Sequence, residues 1–344
     1  MIPGNSGKKV VFWVEVSRQT GMGHLMESLT LAGHLTDRNT FVHFIINPYS
    51  PAEELLSVKG FPFTTYEHAV LNDVVGSIRN LKAGCVLINH RYVSLDALRR
   101  LRQENIRTVV IDQMGNKTVA CDLLINRSIT KSWLTYEFTG QKPECCFGVE
   151  YALLAPGYQK LHSREKEFSA RQGGKVLVTM GGVDRTGATL RIIEALRPLD
   201  NISREIVLGS GFPHMEELRK LQGKIGSSAF SFHQGVDDLG DRMRSADIVI
   251  SAGGNTVYEM ACVGTPGIVL WEDEHEYVQA RDFEEKGVLY CLGNGITTPV
   301  EGITEAVTSM LNNVEQRKSM SRLGKELVDA EGTERVGSRI IGLL

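Results

Sequence analysis

The chain has 344 residues, which at roughly 150 residues per domain is about two domains, and 42% of them are apolar, enough to fill a core in each. Its 38 Lys and Arg against 41 Asp and Glu leave a net charge of −3. That length excludes a single small binding module, and that balance offers no basic excess to neutralise a nucleic-acid backbone.

From the N-terminus, the stretch Met1 to Lys9 runs straight into an alternating strand pattern without a small-residue cleavage site, so it does not read as a signal peptide. No uninterrupted run of about 18 apolar residues follows anywhere, and a soluble, cytoplasmic protein is expected. Short β-branched runs then alternate with helical segments. The strands are read at Val10 to Val16, Phe41 to Ile46, Cys85 to Asn89 and Thr108 to Ile111. Helices start at His24 and Pro51, with an amphipathic stretch from Leu95 to Arg102. Strand, helix, strand at this spacing means right-handed crossovers and a parallel sheet.

The pattern pauses at the charged passage Leu161 to Gly174 and restarts. The second series of strands is Lys175 to Met180, Glu205 to Leu208, Phe230 to His233, Ile248 to Ile250 and Gly267 to Leu270, with helices at Thr186 to Leu196 and from Pro213. Val300 to Leu344 reads as helical and charged. The expected organisation is α/β throughout: a Rossmann-like domain over residues 1–165, a second over 175–330, and a C-terminal helix over 331–344 that packs outside or crosses back. Two doubly wound sheets of this kind face their strand ends across a cleft, where a ligand binds. The six cysteines, Cys85, Cys121, Cys145, Cys146, Cys262 and Cys291, contain no CxxC pair and read as reduced thiols.

Three glycine turns carry the chemical signal. The first, Gly21-Met22-Gly23-His24, follows the first strand and opens a helix with Leu25, Leu29, Ala32 and Leu35 on its inner face. Such a helix start can receive an anion or present His24 to a ligand; a tight turn with a surface histidine is the plainer account of the segment taken alone. A dinucleotide site fails here, because the third glycine position is Met26 and the second strand leads to Asn47 where an acid is needed for the ribose. The second turn, Gly181-Gly182-Val183-Asp184, occupies the equivalent place in the second half and lets backbone approach a ligand, or simply permits a turn.

The third turn is the most informative. A buried strand runs through Ser251 into Gly253-Gly254-Asn255-Thr256, so the first amides of the next helix point outward at its positive end, a cradle for a diphosphate. Asn255 and Glu259 are four residues apart, on one helix face, and the carboxylate suits a ribose diol. The acidic loop with Glu274 and His275 returns toward the same place. Adjacent side chains rarely converge on one ion, so no metal is expected there.

At these residues the sequence resembles the PseG/SpsG family, the nucleotide-sugar hydrolase of pseudaminic acid biosynthesis and the related spore coat polysaccharide proteins, which share the two-domain GT-B fold with MurG-type glycosyltransferases. The resemblance rests on Gly21 to His24, Asn89-His90-Arg91, Val110-Ile111-Asp112, Cys121 to Asn126, Phe147 to Leu154, Gly181 to Asp184 and Ser251 to Glu259. It implies UDP on the C-terminal half, with Gly181, Gly182, Gly253, Gly254, Asn255, Thr256 and Glu259 as nucleotide residues, and no cofactor. It further implies that His24 activates a water to cleave the sugar from UDP with inversion. On the sugar side it points to Gly21, Gly23, Glu27, His90, Asp184, Glu274 and His275. The chain departs from the family pattern at Glu27, where an arginine is usual, at Asn89-His90-Arg91 for Asp-His-Tyr, at Gln113 for an acid, and at Glu274-His275 for Asn-Gln. Two further readings stay open: a glycosyltransferase passing the same sugar to an acceptor, and a nucleotide-sugar binding protein without turnover.

Overall fold

Strands rich in Val, Ile, Leu and Phe, apolar on both faces, are stable only between two layers of helix, and the chain builds two such sandwiches. The computed structural model describes residues 8–18, 20–67, 71–168, 173–225 and 230–344. The opening segment 1–7, set aside above as no signal peptide, and residues 169–172 of the charged passage lie outside the described residues. The chain divides into two units, Met1–Ala155 with Glu331–Leu344, and Pro156–Ala330.

In the first unit, β1 (Lys9–Val14), α1 (Gly23–Thr36), β2 (Phe41–Ile46), α2 (Ser50–Val58), β3 (Phe63–Thr65) and α3 (Leu71–Leu81) come in order. Then follow β4 (Cys85–Asn89), α4 (Leu95–Gln103), β5 (Arg107–Ile111), β6 (Thr118–Val119), β7 (Leu123–Asn126), β8 (Glu137–Phe138) and β9 (Glu144–Phe147). Seven strands form one parallel sheet in the order β3-β2-β1-β4-β5-β7-β9, while β6 and β8 pair separately. Phe12 on β1 packs on Phe44 of β2 with ring centroids 5.1 Å apart, at the centre of the core that also takes Leu25, Leu31 and Leu35 of α1. The opposite face is closed by Val74 and Ile78 of α3 and Leu98 and Leu101 of α4.

The second unit begins with α5 (Gly157–His162), then β10 (Gly174–Thr179), α6 (Ala188–Leu196), β11 (Ile202–Leu208), α7 (Met215–Ile225), β12 (Ser231–Gln234) and α8 (Leu239–Ser245). It continues with β13 (Ile248–Ser251), α9 (Thr256–Val263), β14 (Gly267–Trp271), α10 (Glu274–Glu285), β15 (Leu289–Asn294), α11 (Val300–Asn312) and α12 (Val314–Leu327). Its sheet is parallel in the order β12-β11-β10-β13-β14-β15. The expected body 1–165 thus ends ten residues earlier: α5 packs on α8 and α9 of the second unit, because Tyr158 and Leu161 bury their side chains there. The last helix, α13 (Gly332–Leu343), is part of the first unit, with Val336 and Ile340 in the core beside α1.

Both sheets wind outward in two directions from a central strand. In the first, β1 lies between β2 and β4; in the second, β10 lies between β11 and β13. At such a switch point the loops leaving the two neighbouring strands diverge to opposite faces and open a crevice at the carboxyl edge. All six cysteines are free thiols, four of them buried, and among the described residues no helix is long and apolar enough to cross a membrane.

The docking of α13 depends on Gly337, where an added Cβ would stand 2.2 Å from Cδ2 of His34 on α1. Gly337→Ala is expected to cost about 1–3 kcal/mol through overpacking. Chemical denaturation should register that loss, with hydrogen exchange accelerating first in α13; unchanged stability would mean that the helix has room to shift.

Candidate active site

In the first unit the switch point is built from the ends of β1 and β4, where Val14 pairs in register with Asn89 and the Glu15 amide donates to the Asn89 carbonyl at 3.0 Å. After β1 the chain turns tightly. The Thr20 amide donates to Ser17 Oγ at 3.0 Å and the Gly21 amide to the Ser17 carbonyl at 2.9 Å, and Gly21 has φ +72°, which only glycine adopts freely. This turn delivers Met22 as the N-cap of α1, with no side chain capping the helix, and Gly23 and His24 as its first residues.

His24 is 9% exposed, and its Nδ1 has no hydrogen-bond partner among the described residues. Burial lowers its pKa below the ordinary 6.5, against the pull of Glu27 and Glu15 and helped by Arg91 and Arg127. The imidazole is therefore neutral at pH 7, and a buried neutral ring with an unused nitrogen can accept a proton. His90, on the loop after β4, lines the same recess as His24, Asn89, Asp112 and Gln113. Its Nδ1 stands 3.7 Å from Glu15 Oε2, its ring lies against Trp13, and burial lowers its pKa as well, Glu15 opposing.

Glu27 does not present a free charge to this recess. It is 3% exposed, and Oε1 accepts from Arg127 Nε at 2.7 Å while Oε2 accepts from Gln113 Nε2 at 3.0 Å. Asn89 Nδ2 reaches the His24 carbonyl at 3.0 Å, Ser28 Oγ at 3.3 Å and Glu27 Oε2 at 3.4 Å. Three of the departures from the family pattern, Glu27, Asn89 and Gln113, are thus one contact network, closed by Arg127 from the end of β7. Beside it, Asp112 accepts from Tyr136 Oη at 2.6 Å and the Gly115 amide at 2.7 Å, and pairs with Lys117.

In the second unit Thr179 of β10 pairs in register with Ser251 of β13, so Gly181-Gly182 and Gly253-Gly254 leave adjacent strands side by side. Gly181 has φ +73°. The loop after β11 closes on this turn: a Cβ at Gly209 would meet the Gly182 carbonyl oxygen at 2.2 Å, and the Gly211 amide donates to that oxygen at 3.0 Å. Asp184 is buried at φ +49°, and its two carboxylate oxygens accept from the Ala188 and Thr189 amides at 2.9 and 3.0 Å. Its carboxylate therefore caps α6.

Asn255 is the N-cap of α9 and Thr256 its first residue, with Glu259 one turn on. Burial raises the Glu259 carboxyl to about 7, opposed by a hydrogen bond from Tyr158. The Gly253-Gly254 turn is held from α10. Glu276 Oε2 accepts from the Gly253 amide at 3.3 Å and the Glu272 amide at 2.8 Å, and Gln279 Nε2 donates to the carbonyls of Gly253 and Gly254. A Cβ at Gly253 would lie 2.7 Å from the Glu276 carbonyl oxygen. Burial, with Glu272 and Asp273 adding to it, raises the Glu276 carboxyl to about 7, so an anion arriving at this turn favours its protonated form. On α10, Glu274 is exposed and His275 half-buried, and Glu276 and Gln279, three apart on one face, hydrogen-bond to this turn. Among the described residues no group of three His, Cys, Asp or Glu side chains is placed to hold a metal ion.

Residues 188–335 match the glycosyltransferase family 28 C-terminal domain. The chain is 25% identical to the spore coat polysaccharide biosynthesis protein SpsG of Bacillus subtilis, over 92% of this chain and 93% of that one. It is 25% identical to the UDP-2,4-diacetamido-2,4,6-trideoxy-beta-L-altropyranose hydrolase of Campylobacter jejuni, over 62% of this chain and 73% of that one. Among solved structures, MurG of Acinetobacter baumannii superposes with a TM-score of 0.69 at 14% identity, covering 97% of this chain and 99% of that one. Fold and matches define a glycosyltransferase-like protein of the GT-B fold. Within that class the chain is a relative of the SpsG and PseG proteins.

The buried pair beside His24 gives a direct test. Arg127→Met leaves the Glu27 carboxylate buried with its ion-pair partner gone, and is expected to cost about 3–5 kcal/mol; Glu27→Gln with Arg127→Met should cost clearly less than the sum of the two single changes. Urea unfolding of the four proteins measures this, and strict additivity would show that the pair is not energetically coupled.

Proposed function

We propose that the protein is a nucleotide-sugar hydrolase that cleaves UDP from a UDP-linked deoxy diacetamido sugar, with inversion, in nonulosonic acid or surface polysaccharide biosynthesis. The observation that carries this reading is His24, a buried neutral imidazole with an unused nitrogen at the start of α1. Water attacks the anomeric carbon and gives its proton to His24. The bond from that carbon to the diphosphate oxygen breaks, and its electron pair leaves on UDP. The second unit binds the leaving group: the amides at the start of α9 and the Gly253-Gly254 turn take the diphosphate, with Gly181 and Gly182 beside them, while Asn255 and Glu259 take the nucleoside. Resemblance to the C. jejuni hydrolase supports water as the nucleophile.

The match of residues 188–335 to a glycosyltransferase domain favours a second reading, in which the same donor passes its sugar to an acceptor hydroxyl. The two separate on whether UDP is released without an acceptor. Incubated alone with UDP-, GDP- and CMP-linked sugars, the purified protein is expected to release UDP from the 2,4-diacetamido-2,4,6-trideoxy hexose donor. Release only after an acceptor is added would favour transfer.

His24→Ala is expected to lower kcat by about 10²–10⁴-fold while leaving UDP affinity within about twofold. The base must be unprotonated, so kcat should be level at neutral pH and above, and fall by about tenfold per pH unit below a pKa that lies under the ordinary 6.5. Turnover unchanged in the variant would remove the role assigned to His24.

A further inference from the structure

We propose that Gln279, buried on α10, is a positioning residue for the diphosphate site: its side-chain amide holds the carbonyls of the Gly253-Gly254 turn toward α10 and so aims the amides that follow them at the ligand. The inference rests on the reading above that this turn takes the diphosphate. Gln279 is 2% exposed, and its Nε2 donates to the Gly253 carbonyl oxygen at 2.5 Å and to the Gly254 carbonyl oxygen at 3.2 Å. At the other end of the same amide, Oε1 accepts from the Tyr258 hydroxyl at 2.9 Å. Carbonyl oxygens only accept, so the NH₂ group has to face the turn and the amide oxygen has to face Tyr258; the two hydrogens on Nε2 serve one carbonyl each. Tyr258, 1% exposed on α9, is itself fixed by an edge-to-face contact with Phe283, one turn beyond Gln279 on α10, with ring centroids 5.1 Å apart.

Peptide geometry converts this hold into an orientation. The described residues contain no cis peptide bond, and in a trans peptide the N–H points opposite to the C=O with which it shares a plane. With the Gly253 carbonyl drawn toward α10, the Gly254 amide faces the other way; with the Gly254 carbonyl drawn the same way, so does the Asn255 amide. The Gly253 amide lies on the α10 side, where Glu276 Oε2 accepts from it at 3.3 Å. α10 thereby engages three polar groups of the turn and directs the next two N–H groups away from itself, at the positive end of α9. Donors fixed in advance bind an anion without reorganising, which is what the proposed leaving group requires. A glutamate of the same length has no hydrogen for either carbonyl when ionised, and a methionine has none at all.

The test is the affinity for UDP and for uridine, measured by calorimetry at neutral pH for the wild-type protein, Q279M and Q279E. The ratio of the two affinities isolates what the diphosphate adds, and uridine reports whether the rest of the site is intact. In the wild type, UDP should bind about 10²-fold more tightly than uridine, or better, since two hydrogen bonds to a charged group are at stake. Q279M should cut that ratio by about tenfold and Q279E by more, because the glutamate turns an acceptor on the two carbonyls, while uridine affinity stays within about twofold in both. Wild-type protein binding UDP no more tightly than uridine would overturn the diphosphate reading and this inference together. A large ratio in the wild type that is unchanged in either variant, whether both affinities hold or both fall together, would overturn the positioning role alone.

Discussion

In each unit the chain winds outward from a central strand in both directions, and that reversal is the constraint on which the rest of the molecule depends. Where β1 meets β4, and where β10 meets β13, two parallel strands end in register but hand their chains to opposite faces. The loops part, and backbone amides at the helix starts are left facing the gap. His24 and His90 share the first of these places; the Gly181-Gly182 and Gly253-Gly254 turns share the second. Apolar strands buried on both faces make the reversal stable, since a parallel sheet has to be covered by helices on each side.

Acidic side chains crowd both places, although the proposed ligand is itself an anion. The structure handles each one differently. Glu27 is neutralised by Arg127 and shares its oxygens with Gln113 and Asn89, so its charge is spent inside the protein. Asp184 gives both oxygens to the start of α6. Glu259 and Glu276 are both raised by burial to about 7.

Much of this was legible in the sequence. The alternation of β-branched runs and amphipathic helices defines two α/β sheets, and a glycine turn between a buried strand and a helix marks each switch point. The four-residue spacing of Asn255 and Glu259 follows from helix geometry alone. What could not be read is what arrives from elsewhere in the chain. Arg127 meets Glu27 across 100 residues, and Gln279 meets Gly253 across 26. Gly209 looks like an ordinary loop glycine until the Gly181-Gly182 carbonyls are seen against it. Glu27 and Asp184 show the converse: a carboxylate beside a glycine turn invites a ligand in sequence, and the fold also gives each one internal hydrogen-bond partners.

The central claim is that water, activated by His24, attacks the sugar carbon and not the phosphorus. Turnover of the UDP-linked deoxy diacetamido sugar in ¹⁸O-labelled water, without acceptor, tests it by mass spectrometry of both products. The label is expected on the anomeric oxygen of the released sugar, with unlabelled UDP. Label in the phosphate of UDP would contradict the account, because it would place the attack on phosphorus and leave no part for a base poised at the anomeric carbon.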